Sequence, residues 1–510
     1  MIPYKVLILQ LTRMGDIIQT MPLLVRLHEE IPRVHVTFVC VDRFAEIMKA
    51  VPLVNRYVKI QPQEAVKLKL PDMDQILNLL AHPFLRESYD LVINLTHDLS
   101  SAIIANRINA KEKTGAIAEN GSAYLVIKDT WGRYLFASVS NREENSFNLV
   151  DIHIGMGKIR HSPVRRYLKT DEKTEERIEK LFAWLSISRD RPLIAFHMGA
   201  NRLHRTWKLE YFSQLAELLI RHHNAQILLT GSTQEKTLFE EFSAKIPRIF
   251  IEKGHIFSLI GSTKMQDLIA VLKRCKLLVS NDTGPIHIAA SVGTSTIGIY
   301  LSTAYPGETA PYGEGHYVVC PKMECYPCMD EASGFPCGIT CRDAITPSTV
   351  FKIATKVLTG DSTTEEIHQE EATILKSRFL SNGTLIYEPY DISENKLKQS
   401  LFRKNLLRIL WDGPLGIPSD FSILSSLPED EIKRWSLKTK AIFEEVRDAI
   451  VFKKHIVNTS DLLRVSSLLI DFFNLSIHSG CAEDIPLTVV KIIQQLTEIQ
   501  KWAIKNYRSA

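Results

Sequence analysis

The sequence predicts an α/β protein with two Rossmann-like domains that face each other across a cleft, followed by a C-terminal α-helical extension. Two sets of short apolar runs, each run followed by a segment of helical periodicity, carry this prediction. Short buried strands that alternate with helices are typical of parallel sheets covered on both faces. The length of 510 residues agrees, because single hydrophobic cores stop growing well below that size.

The two sets of runs define the domain boundaries. The first set begins at KVLILQL and the second at RPLIAFHMG, with a charged stretch between them. We therefore place an N-terminal domain at residues 1–170 and a C-terminal domain at 171–359. An acidic, polar segment then predicts a linker at 360–395, and helical periodicity predicts the extension at 396–510.

Two local patterns give more detailed predictions. The segment DEKTEERIEKLFAWL favours a helix in the inter-domain region, with Leu181, Trp184 and Leu185 turned inward. The short apolar run RIFIE, residues 248–252, is assigned to the second set of strands.

Composition excludes several classes of protein. The chain is 45% hydrophobic and 24% charged, which is typical of a soluble globular protein. A net charge of +4 is small for this length, so a nucleic-acid binder is not indicated. The N-terminus lacks the charged region and cleavage site of a signal peptide, and no apolar run is long enough to span a membrane. We expect a cytoplasmic protein, free or peripheral to the inner membrane.

The stretch SNDTGPIHIAASVG, residues 280–293, predicts an anion site. An apolar strand ends there, Thr283 is placed to cap the next helix, and Pro285 lies just inside it, where its missing N–H costs nothing. Gly284 allows a ligand to approach the backbone, so the helix start offers amide donors at the carboxyl end of a parallel strand. His287, one turn later, is a further donor. The alternative is a capped helix with a buried histidine and no ligand.

The first strand ends in a comparable way, at LTRMGDIIQTMP. Arg13 and Gly15 form the turn, and Asp16 opens the next helix, where the helix dipole favours a carboxylate. Asp16 is therefore either a general base at the cleft or a helix-start acid with no further role.

A basic loop follows the strand that ends near His197. Here His204, Arg205 and Lys208, together with Arg202, collect positive charge at the same sheet edge as Thr283, and such a loop could hold a diphosphate. The alternative is a solvated basic loop.

Taken together, these motifs resemble glycosyltransferase family 9, the ADP-heptose:lipopolysaccharide heptosyltransferases. The resemblance rests on four ordered stretches, RMGDIIQTMP, RTWKLEYFSQL, ILLTGSTQE and the long run from LIGSTKMQDL to STIGIY, and ends with the helix TPSTVFKIATKVL. It implies a GT-B architecture, in which an N-terminal acceptor domain faces a C-terminal nucleotide-sugar domain and transfer proceeds with inversion.

The resemblance also assigns roles to residues. It implies that Asp16 is the catalytic base, that Thr283, Gly284 and His287 hold the leaving diphosphate, and that Asp282 lies near the sugar. The family's phosphate-binding lysine falls on Arg205, which keeps the charge but changes the donor geometry. Arg13, Gly15, His204 and Lys208 are further candidate donor or acceptor contacts. No cofactor is implied for catalysis, and we interpret the Asp-x-Asp pair, Asp72 and Asp74, as helix-start acids.

Cysteines cluster between residues 320 and 341. Cys325 and Cys328 form one close pair and Cys337 and Cys341 another, a spacing that suits a tetrahedral thiolate site. A structural Zn or Fe is therefore expected, since sulfur ligands do not distinguish the two metals. Iron-containing autotransporter heptosyltransferases within the resembled family carry a comparable insertion. The alternative is unligated thiols in a surface loop.

The leading functional hypothesis is an inverting glycosyltransferase that moves heptose from an ADP-sugar to a lipopolysaccharide core or related surface glycan. Its expected partners are a nucleotide-sugar donor and a glycolipid or glycan acceptor, with no nucleic acid; peripheral membrane contact and oligomer formation stay open. One alternative is heptosyl transfer to a protein hydroxyl, and another is a non-catalytic nucleotide-sugar-binding scaffold. An oxidoreductase is disfavoured, because no G-x-G-x-x-G turn follows the first strand.

Overall fold

The computed structural model describes most of the chain up to residue 390 and four residues beyond it. The described residues are 2–60, 82–118, 125–140, 142, 145–328, 335, 337–360, 372–390, 408, 412, 415 and 416. The predicted helix-start acids Asp72 and Asp74, and nearly all of the predicted helical extension, lie outside them. A search of the described helices finds none that is both long and apolar enough to cross a membrane.

The N-terminal domain contains a parallel five-stranded sheet in the order β3-β2-β1-β4-β5. Its strands are β1 (Tyr4–Leu9), β2 (Val34–Val41), β3 (Arg56–Ile60), β4 (Ser88–Asn94) and β5 (Asn109–Gly115), and a small antiparallel pair, β6 (Ile117–Ala118) and β7 (Leu125–Val126), follows. The domain's helices are α1 (Met14–Glu30), α2 (Leu99–Arg107), α3 (Thr130–Ser140) and α4 (Leu149–Met156).

The C-terminal domain contains an eight-stranded sheet in the order β10-β9-β8-β11-β12-β13-β14-β15. Its strands are β8 (Leu193–His197), β9 (Gln226–Thr230), β10 (Ile256–Ser258), β11 (Leu277–Asn281), β12 (Ser295–Ile299), β13 (Tyr317–Pro321), β14 (Ala372–Phe379) and β15 (Leu385–Pro389). The strands up to β13 are parallel, whereas β14 and β15 pair antiparallel.

Helices cover this second sheet and lead into it. They are α5 (Glu172–Trp184), α6 (Leu209–His223), α7 (Lys236–Ala244), α8 (Arg248–Glu252), α9 (Met265–Arg274), α10 (Gly284–Val292), α11 (Pro306–Thr309), α12 (Cys341–Ala344) and α13 (Pro347–Thr359).

The central strands of both sheets are buried on both faces, as the continuous apolar runs predict. The adjacent residues Leu7 and Ile8 are fully buried and belong to apolar clusters on opposite sides of the first sheet. Leu277 and Leu278 do the same in the second sheet, and Leu278 shares its cluster with Ile8. One apolar core therefore continues from domain to domain, and the predicted pair of Rossmann-like α/β domains is confirmed.

Two local predictions are wrong. RIFIE forms the short helix α8, and the strand β10 follows it; an apolar run of five residues fits either structure, so its periodicity does not discriminate between them. Trp184 is 79% exposed at the end of α5, although Leu181 and Leu185 pack against the core as predicted.

The region expected to be a linker contains two strands. Residues 372–389 form the antiparallel hairpin β14–β15, which extends the C-terminal sheet beyond β13. Buried side chains such as Ala372, Ile374 and Leu385 anchor it. The polar composition around the hairpin concealed this short alternating pattern.

The hairpin also reaches the N-terminal domain, at a buried carboxylate on α4. Asp151 is 0% exposed; its Oδ1 accepts a hydrogen bond from the Tyr312 hydroxyl at 3.1 Å and its Oδ2 accepts one from the Leu385 amide at 2.9 Å. Burial raises the pKa of Asp151 to about 7, although the nearby Arg408 charge and the two hydrogen bonds oppose the increase. This carboxyl group therefore joins the two domains at neutral pH with its proton partly bound.

Replacement of this carboxyl group is expected to change how stability depends on pH. The folded-state pKa of Asp151 lies above the ordinary value of 3.8, so its contribution is most favourable below about pH 4 and is lost as pH rises to about 7. The loss amounts to about 4 kcal/mol. We expect the Tm of the native protein, minus that of Asp151→Asn, to fall between pH 5 and pH 8 in thermal unfolding. A Tm difference that stays constant from pH 5 to pH 8 would mean that Asp151 is ionised in the folded protein throughout this range.

Candidate active site

The helix α10 begins with the predicted anion-binding geometry. Thr283 is its N-cap, but the Thr283 hydroxyl bonds Ser280 Oγ at 3.1 Å and the Asn281 carbonyl at 3.3 Å, and makes no capping bond to the helix. Pro285 has no N–H and the Ile286 N–H donates to the Thr283 carbonyl at 3.2 Å, so the Gly284 N–H is the first-turn amide that the cap side chain leaves for a ligand. Gly293, in the left-handed conformation, ends the helix.

His287 lies one turn into this helix with its side chain enclosed. It is 4% exposed, and its buried Nδ1 makes no hydrogen bond to the described residues. Burial, with a smaller effect of His316, lowers the pKa of His287 to about 4. The imidazole is therefore neutral at physiological pH and can donate one hydrogen bond to a phosphate without carrying a charge.

The starts of α1 and α10 meet across the two domains. A Cβ at Gly15 would lie 3.5 Å from His287 Cδ2, so the imidazole of His287 packs against the backbone of Gly15. On the opposite side, a Cβ at Gly284 would lie only 2.3 Å from Met14 Cε, so no other residue fits position 284 without moving Met14. The turn that carries Asp16 and the anion site therefore form one composite site.

Asp16 is half-buried at this junction. Its Oδ2 accepts a hydrogen bond from the Arg13 amide at 3.2 Å, which is the helix-start role considered above. This bond uses one oxygen and leaves Oδ1 for a second partner. Asp16 therefore combines an intrahelical capping role with a position suited to proton abstraction from an acceptor.

Arg205 extends to the carboxyl ends of the C-terminal strands. Its Nε donates to Thr303 Oγ1 at 2.7 Å, and its Nη1 lies 3.5 Å from Asp282 Oδ2. Burial raises the pKa of Asp282 to about 6, while Arg205 and a hydrogen bond from Tyr300 oppose the increase. The sequence-predicted pair of Arg205 and Asp282 is thus brought together next to Thr283.

Two of the predicted contacts of the basic loop are directed elsewhere. Lys208 forms an ion pair with Asp343, next to the cysteine segment. His204 is 6% exposed and packs edge-on against Phe335, with ring centroids 4.4 Å apart. Arg205, between these two side chains, contacts Thr303 and Asp282 at the anion site.

The sequence alone did not identify the residue that holds this loop in place. Asn281 is fully buried; its Oδ1 accepts from the Trp207 amide at 2.9 Å and its Nδ2 donates to the Met198 carbonyl at 2.8 Å. It thereby ties the ends of two parallel strands to the loop that carries Arg205. The sequence signal that could have identified Asn281 is its position directly before Asp282.

Further polar groups complete the cleft and were also missed. Arg142, from the N-terminal domain, donates to Glu308 at 2.7 Å and to the Thr303 carbonyl at 3.0 Å, so Thr303 contacts both Arg142 and Arg205. His97, which follows β4, is exposed; desolvation by the surrounding groups lowers its pKa, and the nearby charges of Asp16 and Glu308 oppose the decrease. These residues come from both domains, which a linear motif does not reveal.

The predicted metal site is not formed by the described residues. No group of three or more His, Cys, Asp or Glu side chains among them is arranged to hold an ion, and Cys325, Cys328, Cys337 and Cys341 are all described. The thiols lie near one another, since the other three raise the pKa of Cys341 in addition to its burial. Cys341 packs in the apolar core, whereas Cys325 and Cys337 are exposed.

The chain is similar to a known protein family. The model of the family described as glycosyltransferase family 9 (heptosyltransferase) matches residues 79–338, about half of the chain. The matched region contains Arg205 and the turn from Asp282 to His287, and it begins after Asp16.

Two curated relatives are from Haemophilus influenzae. Lipooligosaccharide heptosyltransferase 2 is 27% identical over 240 residues, which cover 45% of this chain and 65% of that protein, just under two thirds. Lipopolysaccharide core heptosyltransferase OpsX is 24% identical over 324 residues, which cover 62% of this chain and 84% of that protein.

Two solved structures share the fold. The glycosyl transferase family 9 protein from Veillonella parvula superposes with a TM-score of 0.58 at 17% identity, covering 71% of this chain and 99% of that one. The ADP-heptose lps heptosyltransferase II of Escherichia coli superposes with a TM-score of 0.52 at 18% identity, covering 70% and 99%. The predicted GT-B type architecture is therefore confirmed.

Proposed function

The chain belongs to glycosyltransferase family 9, and on this basis we propose that it is an inverting glycosyltransferase that transfers heptose from ADP-heptose. The proposed acceptor is a lipopolysaccharide core or a related surface glycan. One observation carries the proposal: the turn with Asp16 meets the open start of α10, where His287 lies against Gly15. A carboxylate and a diphosphate-binding helix start thus face one space between the domains.

The chemistry follows from this arrangement. An acceptor hydroxyl attacks the anomeric carbon as the bond from that carbon to the phosphate oxygen breaks, and Asp16 takes the hydroxyl proton. The bond electrons leave with ADP, so negative charge grows on the phosphate oxygens. The Gly284 amide at the start of α10, neutral His287 and Arg205 are placed to stabilise that charge. A single displacement of this kind inverts the sugar and uses no catalytic cofactor.

The names of the relatives support the proposed partners. Both Haemophilus proteins are named heptosyltransferases of lipooligosaccharide or lipopolysaccharide, so we propose a glycolipid acceptor presented at the cytoplasmic face of a membrane. Peripheral membrane contact and a homo-oligomer are compatible with this role.

Donor and acceptor identity are tested with the purified full chain. ADP-heptose, ADP-glucose, and UDP- and GDP-sugars are compared for binding by calorimetry, and for transfer to lipopolysaccharide that lacks heptose. We expect ADP-heptose to bind and to be turned over faster than the other donors. Binding without transfer to any acceptor would favour a nucleotide-sugar-binding scaffold. If no nucleotide binds, the start of α10 is a helix start without a ligand.

A further inference from the structure

A buried polar joint connects the two domains at the start of α4. Asn148 caps that helix by accepting a hydrogen bond from the Val150 amide at 3.0 Å, while its Nδ2 donates to the Ala310 carbonyl of the C-terminal domain at 2.9 Å. One turn away, Asp151 accepts from Tyr312 and from the Leu385 amide of the hairpin β14–β15. Two separate segments, residues 310–312 and the hairpin, therefore meet on the first turn of one helix.

Arg408 closes this joint from the C-terminal side of the chain. It is 2% exposed, its Nη1 donates to the Ser146 carbonyl at 2.6 Å and to the Leu385 carbonyl at 3.4 Å, and its Nη2 donates to Thr384 Oγ1. Its guanidinium lies 4.5 Å from the centre of the Phe147 ring. A fully enclosed cation with this many partners is costly to bury unless each bond is kept.

The hairpin is pressed against the N-terminal domain at a second point. Gly383 has a φ of +84°, and a Cβ there would lie 2.6 Å from the His161 carbonyl oxygen. On the other side of the hairpin, the Tyr387 hydroxyl donates to the Pro311 carbonyl at 2.8 Å. The hairpin thus contacts both domains, in a part of the chain beyond the family-matched residues 79–338.

The joint is one helix away from the proposed base. Helix α4 packs directly on α1, and a Cβ at Gly157, just after α4, would lie 2.4 Å from Leu23 Cδ1 of α1. Helix α1 begins with the turn that carries Asp16 and contacts His287. A shift of α4 therefore moves α1, and with it the carboxylate, relative to the start of α10.

We propose that Arg408 and Asp151 are positioning residues for the transfer reaction. They hold the first turn of α4 against the C-terminal domain and the hairpin, and thereby fix the distance between Asp16 and the diphosphate-binding turn. The chain beyond the transferase domains thus contributes to catalysis, although it supplies no group to the cleft. The expected effect on the transfer rate rests on the proposed function, whereas the positioning of α1 does not.

The test compares Arg408→Met with Arg378→Met in the full chain. Arg378 lies on β14 of the hairpin and pairs with Glu388 on β15, so it serves as an arginine control from the hairpin that contacts the joint. For Arg408→Met we expect kcat to fall about 10- to 100-fold, since small misplacements of reacting groups have effects of this size. ADP affinity should stay within about twofold, because the diphosphate-binding residues all lie in the C-terminal domain.

A second readout is independent of catalysis. Well below the Tm, amide hydrogen exchange at the start of α1 should be faster in Arg408→Met than in the native protein and unchanged in Arg378→Met. Arg408→Lys should restore part of kcat, because it keeps the charge and loses the forked hydrogen bonds. If Arg408→Met does not fold, Thr384→Val removes one Arg408 partner and should give smaller changes of the same kind.

Several outcomes would overturn the proposal. A lower Tm with unchanged kcat and unchanged exchange in α1 would make the joint purely structural. Equal losses of kcat in Arg408→Met and Arg378→Met would also make the joint purely structural. If the native chain transfers no sugar at all, the proposed function fails, and hydrogen exchange in α1 still decides whether Arg408 positions that helix.

Discussion

Asp16→Asn is expected to lower kcat about 10²- to 10⁴-fold, the range that a positioned general base contributes. The asparagine oxygen can still accept the Arg13 amide, so the helix start is preserved while the ability to take a proton is lost. ADP affinity should change less than about twofold, since the proposed diphosphate-binding residues lie in the other domain. Steady-state kinetics with ADP-heptose, combined with calorimetry of ADP binding, measure both quantities.

The control for this variant is Asp267→Asn. Asp267 occupies the equivalent place at the start of α9, where its Oδ2 accepts the Lys264 amide at 3.0 Å, but it pairs with Arg177 outside the cleft. Its replacement should leave kcat unchanged. If Asp16→Asn keeps more than about a tenth of native turnover, Asp16 is a helix-start acid and another group accepts the proton.

Arg205→Met is expected to lower kcat about 10²- to 10³-fold and to weaken ADP binding. Arg205 is the cation placed beside Thr303 and Asp282, and preorganised donors that face the charge of a transition state have effects of this size. Its loss also removes the charge that holds down the pKa of Asp282. Arg205→Lys should give intermediate rates, because lysine restores the charge without the planar fork.

Arg221→Met serves as the reference for this series. Arg221 lies on α6 and pairs with Glu217 one turn away, so its removal changes net charge equally without changing the cleft. Comparable losses of ADP affinity in Arg205→Met and Arg221→Met would show that overall charge, and not the position of Arg205, governs donor binding.

Much of the candidate site was predictable because it depends on local chemistry. Thr283, Pro285 and Gly293 specify where α10 begins and ends, whatever packs around it. Asp16 was recognisable for a similar reason, since the helix dipole favours a carboxylate in the first turn and the preceding buried strand places that turn at the sheet edge. The prediction that this site binds the donor came from the ordered motifs that resemble the family.

Other features could not be predicted, because their signals are ambiguous or non-local. The run RIFIE has the composition of a strand and forms a helix, and the hairpin β14–β15 lies in a segment whose polarity suggested a linker. The cysteine spacing suited a metal ion, but it does not specify that Cys341 packs into the core while Cys325 remains in solvent.

The sequence by itself determined the parallel strands of the two sheets and the helix starts at their edges, because hydrophobic periodicity and capping act over one or two turns of chain. The tertiary structure alone decided which of these edges face each other. Gly15 meets His287, Arg142 and Arg205 share Thr303, and Asp151 receives a hydrogen bond from a hairpin far along the chain. Contacts of this kind depend on how two domains pack, since close packing selects partners by shape and position in three dimensions.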